Sequence, residues 1–195
     1  MLASTSPARL GLLRAAGFDP EVVPSGVDET AVASDEAGVV ATVQALAVAK
    51  AAAVTARADV SGALVLGCDS LFEIDGRAQG KPGTAEQAVA RILAQRGRSG
   101  VLHTGHCIID TDGGAQALGV ASTTVRFTAM SDAEVDAYVA TGEPLHVAGA
   151  FTLDGRASVF VAGVEGDPSN VVGLSLPLFR DLLGRLGVEV TSLWV

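Results

Sequence analysis

Apolar positions along this chain follow two rhythms: short uninterrupted runs bounded by glycine or polar turns, and longer stretches of helical spacing. The runs at residues 1–4 and 21–24 predict short strands, and "ALVLG" at 63–67, bounded by Gly62 and Gly67, predicts a buried central one. Residues 71–74 continue as a strand, turn at Asp75-Gly76 and head back toward Gly80-Lys81-Pro82. Two long strands are predicted at 101–109 and 117–127, joined by the polar turn 110–114, with further strands at 157–164 and 188–193. Helices are predicted over 7–16, opened by Ser6-Pro7 and closed by Gly17, and over the alanine- and valine-rich 36–57. Capping boxes at Thr84/Gln87 and Ser131/Glu134 open helices ending near residues 95 and 140, and 176–186 is helical. Helices intermixed with hairpins give an α/β fold class: a single mixed-sheet unit with flanking helices, in one lobe or two, and not a purely parallel doubly wound sheet. No repeat, low-complexity tract or long linker divides the chain, so residues 1–195 read as one domain.

Composition narrows the function. With 49% hydrophobic and 18% charged residues the chain is globular, and its 195 residues are enough for a substantial core. A net charge of −9 excludes a broad nucleic-acid-binding face, while small polyphosphates need only a local cluster of cations and amides. The longest apolar stretch, 38–49, is interrupted by Thr42 and Gln44 and falls short of the roughly 18 residues a membrane span needs, so no membrane helix is expected. The first residues lack the organisation of a signal peptide, which predicts a cytoplasmic location. Cys68 and Cys107 sit in apolar runs without CxxC spacing and read as buried, reduced thiols.

Candidate chemistry begins at "STSPAR", residues 4–9. A strand leading straight into a helix start presents backbone amides, Ser4, Thr5 and Ser6 add hydroxyls, and Arg9 adds a planar fork. Arg9 occupies a first turn that normally favours Asp or Glu. Local chemistry fits either an anion site or an ordinary cap with solvated arginines. "LGCDS" puts Asp69, followed by Ser70, at the end of a buried strand, where open α/β sheets place ligands; metal ligation, general base work and a plain turn aspartate are the alternatives. In "GKP", Pro82 keeps Lys81 out of the next helix and on a stiff turn. Asp28 and Glu29 in "VDE" offer a second carboxylate for a divalent cation, or a solvated turn. Lys50 and Lys81 are the only lysines among 13 basic residues, and Lys50 lies among alanines and valines. "HTGH" resembles a metal spacing, yet on a strand His103 and His106 face opposite sides, which argues against zinc. "GDPSNVVGLSLP", at 166–177, reads as a tight loop whose Ser169 or Asn170 caps a helix or meets a ligand.

Taken in order, "LASTSPARLGLL", "VDE", Lys50, "GCDS", "GKP", "TGH", "GEPLHVAGAFTLDG" and "GDPSNVVGLSLP" resemble the Maf family of nucleotide pyrophosphatases over nearly the whole chain, and an actinobacterial branch most. The resemblance implies two lobes around a central cleft. The activity it implies is hydrolysis of a nucleoside triphosphate between the α and β phosphates, with Mg²⁺ or Mn²⁺, on non-canonical or pyrimidine nucleotides as house-cleaning of the pool. Ser4, Ser6 and Arg9 would hold phosphates, assisted by Lys50, Lys81 and Ser70. Asp69 would bind metal or activate the attacking water, with Glu29 as its carboxylate partner. Homodimerisation belongs to the same implication, while the absence of nucleic-acid and membrane partners is expected from the charge and hydropathy above. Three departures stand out: Ala8 replaces the first arginine of the family's SPRR string, Gly100 stands where relatives often carry a histidine, and Asp154 replaces a glutamine, which bears on the choice of base. The rival class is a non-catalytic nucleotide-binding regulator of septum formation; a nucleotidyl transferase would need an acceptor domain for which this length leaves no room.

Overall fold

The computed structural model describes residues 1–32 and 38–195. Strands β1 (Leu64–Ile74), β2 (Arg77–Gln79), β3 (Ser99–Asp110), β4 (Gln116–Phe127) and β5 (Val161–Glu165) form one sheet in the order β2-β1-β3-β4-β5. The sheet is antiparallel, with β1 pairing to β2 and β4 to β5 in that sense; the expected mixed sheet is reduced to the isolated parallel bridges of Leu2 to Val22 and to Leu66, which lie outside the named strands. The helices are α1 (Pro7–Ala15), the single turn α2 (Glu29–Val32), α3 (Gly38–Thr55), α4 (Ala85–Gln95), α5 (Asp132–Ala140), α6 (Pro168–Val172) and α7 (Leu176–Arg185). The expected helical start at Glu36 lies outside the described residues.

The chain divides into two compact units. One comprises Met1–Asp69, Thr104–Ala121 and Gly173–Val195; the other comprises Ser70–His103 and Ser122–Val172. In the first unit the two-residue alternation of β1 sorts its side chains. Leu66 and Cys68 join Leu2, Leu13, Phe179 and Leu182 on one face, and Val65 joins Ala47, Ala51, Val54 and Cys107 on the other. Gly67, between those two groups, lets α3 approach the strand: a Cβ there would lie 2.3 Å from the Ala47 carbonyl oxygen. Gly105 on β3 does the same for Val43, at 2.2 Å. Both clashes would be with backbone, so only glycine permits this helix-on-strand distance. In the second unit Phe72, Phe127 and Phe151 meet edge to face at centroid distances of 4.9 to 5.9 Å, beneath Ile92 of α4 and Val135 of α5.

Local signals hold where the chain supplies its own partners. Ser6, Thr84, Ser131 and Ser175 cap α1, α4, α5 and α7 through their hydroxyls, and Ser131 with Glu134 completes a full capping box. Asp75 and Gly76 both have positive φ, as a tight two-residue hairpin requires. Elsewhere the structure departs from expectation. Residues 63–67 and 71–74 form one continuous strand, since the intervening Cys68, Asp69 and Ser70 keep the ladder. The predicted strands at 1–4 and 21–24 reduce to the bridges of Leu2. The start of 157–164 is a 3₁₀ turn, Arg156–Phe160, because Glu143 collects the Arg156 and Ala157 amides before β5 begins. Residues 188–193 make no ladder: Val190–Leu193 is a 3₁₀ turn with local bonds such as Ser192 N–H to the Glu189 carbonyl.

α3 also corrects a reading. Its 18 residues have a mean hydropathy of 1.6, making it the one helix among the described residues long and apolar enough, by length and composition, to cross a membrane. In this fold it is a core helix with Ala47, Ala51 and Val54 fully buried and a buried Lys50.

Candidate active site

Strand alternation carries the chemistry. Positions 65, 67 and 69 of β1 share one face, so two residues beyond the Gly67 contact Asp69 meets α3 one turn further along, at Lys50. Lys50 Nζ lies 2.5 Å from Asp69 Oδ1 and 2.6 Å from Glu29 Oε1 at the start of α2. Lys50 and Asp69 side chains are each 10% exposed, whereas Glu29 is 57% exposed. One buried ammonium thus joins an inner and an outer carboxylate. Burial pushes the Asp69 carboxyl above the usual range; Lys50 and then Arg9 pull it down, and Glu29 adds a small push upward.

Arg9 stands in the same electrostatic neighbourhood. Its Nε donates to the Gly173 carbonyl at 2.7 Å and its Nη1 to Ser4 Oγ at 3.2 Å, with the residue 9% exposed. Ser4 Oγ also accepts from the Ser6 amide at 3.1 Å, and Ser6 Oγ accepts from the Arg9 amide at 3.4 Å. Ser4 and Ser6 therefore shape the loop and aim the guanidinium; as hydroxyls that accept, each keeps its own O–H as a donor. The reading of Arg9 as a solvated surface arginine is overturned: the side chain is buried and oriented.

Ser4, Ser6, Arg9, Glu29, Lys50 and Asp69 all belong to the first unit, where hydrogen bonds join Ser4, Ser6 and Arg9 in one group and ion pairs join Glu29, Lys50 and Asp69 in another. Ser70, Lys81 and Asp154 belong to the second. Ser70 is half-buried on β1. Lys81 is exposed on a turn pinned by a hydrogen bond from Arg91 Nη1 to the Gly80 carbonyl and one from the Gly83 amide to Leu145. Asp154 is exposed in a loop organised by Glu143. The Glu143 carboxylate accepts from Thr152 Oγ1 at 2.6 Å, Tyr138 OH at 3.1 Å and the Arg156 amide at 3.1 Å. Burial raises its pKa, but these hydrogen bonds outweigh that and leave it below the usual range.

The two histidines part as strand geometry requires. In the second unit His103 Nδ1 meets Ser122 Oγ at 2.8 Å and its Nε2 lies 3.2 Å from Glu73. His106, fully buried in the first unit, contacts the Thr104 carbonyl and the Ser175 amide. Asn170 is structural: its Nδ2 donates to the Leu102 carbonyl and to Thr123 Oγ1, and Ser169 is tied to Asp167. Among the described residues no group of three or more His, Cys, Asp or Glu side chains converges as a metal cage. Asp69 and Glu29 converging on one cation is instead the two-carboxylate pattern that suits Mg²⁺, whose remaining positions are filled by phosphate oxygens and water.

Glu143 and His106 are what sequence reasoning missed. Glu143 stood inside a quoted motif without a role, and His106 was weighed only as a zinc ligand; the period-2 face of β3 was the available signal for the second.

The sequence model of Maf-like proteins matches residues 1–186. The chain is 58% identical over 194 residues to a nucleoside triphosphate pyrophosphatase of Streptomyces coelicolor, covering 100% of this chain and 93% of the relative. Proteins of the same name from Salinispora tropica and a Mycobacterium species are 54% and 50% identical, with 86% and 97% of their lengths covered. A match over almost the entire chain places this chain in the family of Maf-like proteins.

Proposed function

We propose that the protein is a nucleoside triphosphate pyrophosphatase, hydrolysing a non-canonical or pyrimidine nucleotide to the monophosphate and pyrophosphate. The observation that carries this reading is the buried Lys50 shared by Asp69 and Glu29 beside an oriented Arg9. The substrate brings about four negative charges, and the opposing groups are Arg9, Lys50 and the amides at the start of α1. Asp69, with a raised pKa, is suited to accept the proton of a water attacking the α-phosphorus. The bond from that phosphorus to the α–β bridging oxygen breaks, and pyrophosphate leaves with the bond's electron pair. Arg9 and Lys50 offset charge on the departing oxygens. A divalent cation, Mg²⁺ or Mn²⁺, held by Asp69 and Glu29, would supply further neutralisation of the polyphosphate when bound. For Ser70, Lys81 and Asp154 as substrate-binding or catalytic groups the support is the motif resemblance alone, as it is for a cytoplasmic homodimer.

The test is product analysis. With Mg²⁺ or Mn²⁺ and a panel of ordinary, methylated and halogenated triphosphates, pyrophosphate is released from at least one, and Asp69→Asn abolishes the release. Orthophosphate as the sole product, or no turnover across the panel, refutes the proposal.

A further inference from the structure

His106 has no place in the scheme above, yet its surroundings are unusually defined. The Thr104 carbonyl, 3.0 Å from Nδ1, can only accept, so Nδ1 carries the proton. The Ser175 amide, 2.9 Å from Nε2, can only donate, so Nε2 is the bare acceptor. Two backbone partners thus fix one neutral tautomer in a fully buried ring.

That ring also sits at a junction. Strand alternation turns Gly105 and Cys107 toward α3, where Gly105 abuts Val43, and turns His106 toward the start of α7. The His106 carbonyl accepts from Gln44 Nε2 at 3.0 Å, tying the same peptide to the helix that carries Lys50. On its other side the ring holds Ser175, whose hydroxyl caps α7 by accepting from the Leu178 amide at 3.2 Å. Two residues back, the Gly173 carbonyl accepts from Arg9 Nε. Gly173 has a φ of +116°, a backbone conformation open to glycine and disfavoured for residues with a Cβ. Leu174 between them is fully buried and anchors the segment in the core.

We infer that His106 is a positioning residue for polyphosphate binding: through the Ser175 amide it sets the direction of the Gly173 carbonyl, and that carbonyl aims the Arg9 guanidinium. This inference rests on the proposed phosphate role of Arg9. Its consequence is specific, because a side chain acting only as core filling would alter stability without regard to Arg9.

The experiment measures binding of inorganic tripolyphosphate to the whole protein by calorimetry, which needs no turnover, together with KM and kcat on a triphosphate that wild type cleaves. His106→Leu, lacking the acceptor, is expected to weaken tripolyphosphate about tenfold and to raise KM more than it lowers kcat. His106→Gln, whose amide oxygen reaches the Ser175 amide, restores affinity, whereas the shorter His106→Asn does not. In an Arg9→Ala background the His106→Leu change has no further effect on affinity. Full additivity with Arg9→Ala, unchanged affinity in folded His106→Leu, or equal affinities for the Gln and Asn variants would overturn the inference. Should His106→Leu not fold, the Gln–Asn comparison decides alone. Wild type that binds tripolyphosphate through Arg9 but cleaves no triphosphate defeats the pyrophosphatase reading and leaves this one standing.

Discussion

Replacing Lys50 by Met is the sharpest test of how the carboxylate pair is held. Lys50 and Asp69 are both nearly buried and 2.5 Å apart, while Glu29 is mostly exposed and can return to water. Removing the ammonium therefore strands Asp69 and not Glu29. An uncompensated buried charge costs about 3–5 kcal/mol, a sizeable part of the roughly 5–15 kcal/mol that holds a domain folded. Asp69 can escape by taking a proton, so the deficit depends on pH. Burial already holds its folded pKa above the unfolded value of about 3.9, and losing Lys50, which pulls it down, raises it further. A group whose folded pKa is raised gives its full contribution below the unfolded pKa and loses it as pH rises through the folded one. The Lys50→Met deficit is accordingly small near pH 4, grows through the range above it, and levels off once Asp69 is ionised in the variant. Urea unfolding from about pH 4 to about pH 8 measures it, and Lys50→Met with Asp69→Asn together recovers most of the loss at the alkaline end. A deficit independent of pH, or a double variant no more stable than Lys50→Met, would refute the account.

Two further outcomes are expected. Gly105→Ala would bring a Cβ to 2.2 Å from the Val43 carbonyl oxygen, and overpacking against backbone costs about 1–3 kcal/mol in urea unfolding; because α3 must shift with Lys50 on it, kcat falls as well. Ser131→Ala removes the capping box of α5, lowering stability by about 1 kcal/mol in the same assay while leaving pyrophosphate release unchanged.

The sequence spoke clearly where a residue's role is local. Ser6-Pro7, Ser131-Glu134 and Asp75-Gly76 each act within four residues and do what their spacing predicts, while Thr84 caps α4 through the Gln87 amide without the reciprocal bond of the expected capping box. Asp69, which lies in the middle of β1 and not at the predicted strand end, and a lone lysine among alanines are visible as candidates too. Their partnership is not, because it depends on how closely α3 approaches β1, which Gly67 and Gly105 set from two different strands. "RASVFVAGV" has the composition of a strand, yet its first residues turn because the Glu143 carboxylate, more than ten positions earlier, captures the amides of Arg156 and Ala157. "VEVTSL" has strand composition as well, but β propensity without a neighbouring ladder leaves only local turns. Arg9 stands out in the sequence for offending the helix dipole, but its anchor, the Gly173 carbonyl, lies 164 residues away.

The residue immediately before Asp69 has a consequence for durability. Alternation turns the Cys68 thiol away from the carboxylate into the opposite core, where burial pushes its pKa up to about 12, and Cys107 is raised to about 11. At neutral pH the thiolate share of Cys68 is then on the order of one molecule in 100,000. Peroxides and alkylating agents react with thiolates, so the strand that bears Asp69 offers them almost no foothold. Oxidants and electrophiles that act through thiolates would leave Cys68, and with it the register that presents Asp69, unmodified.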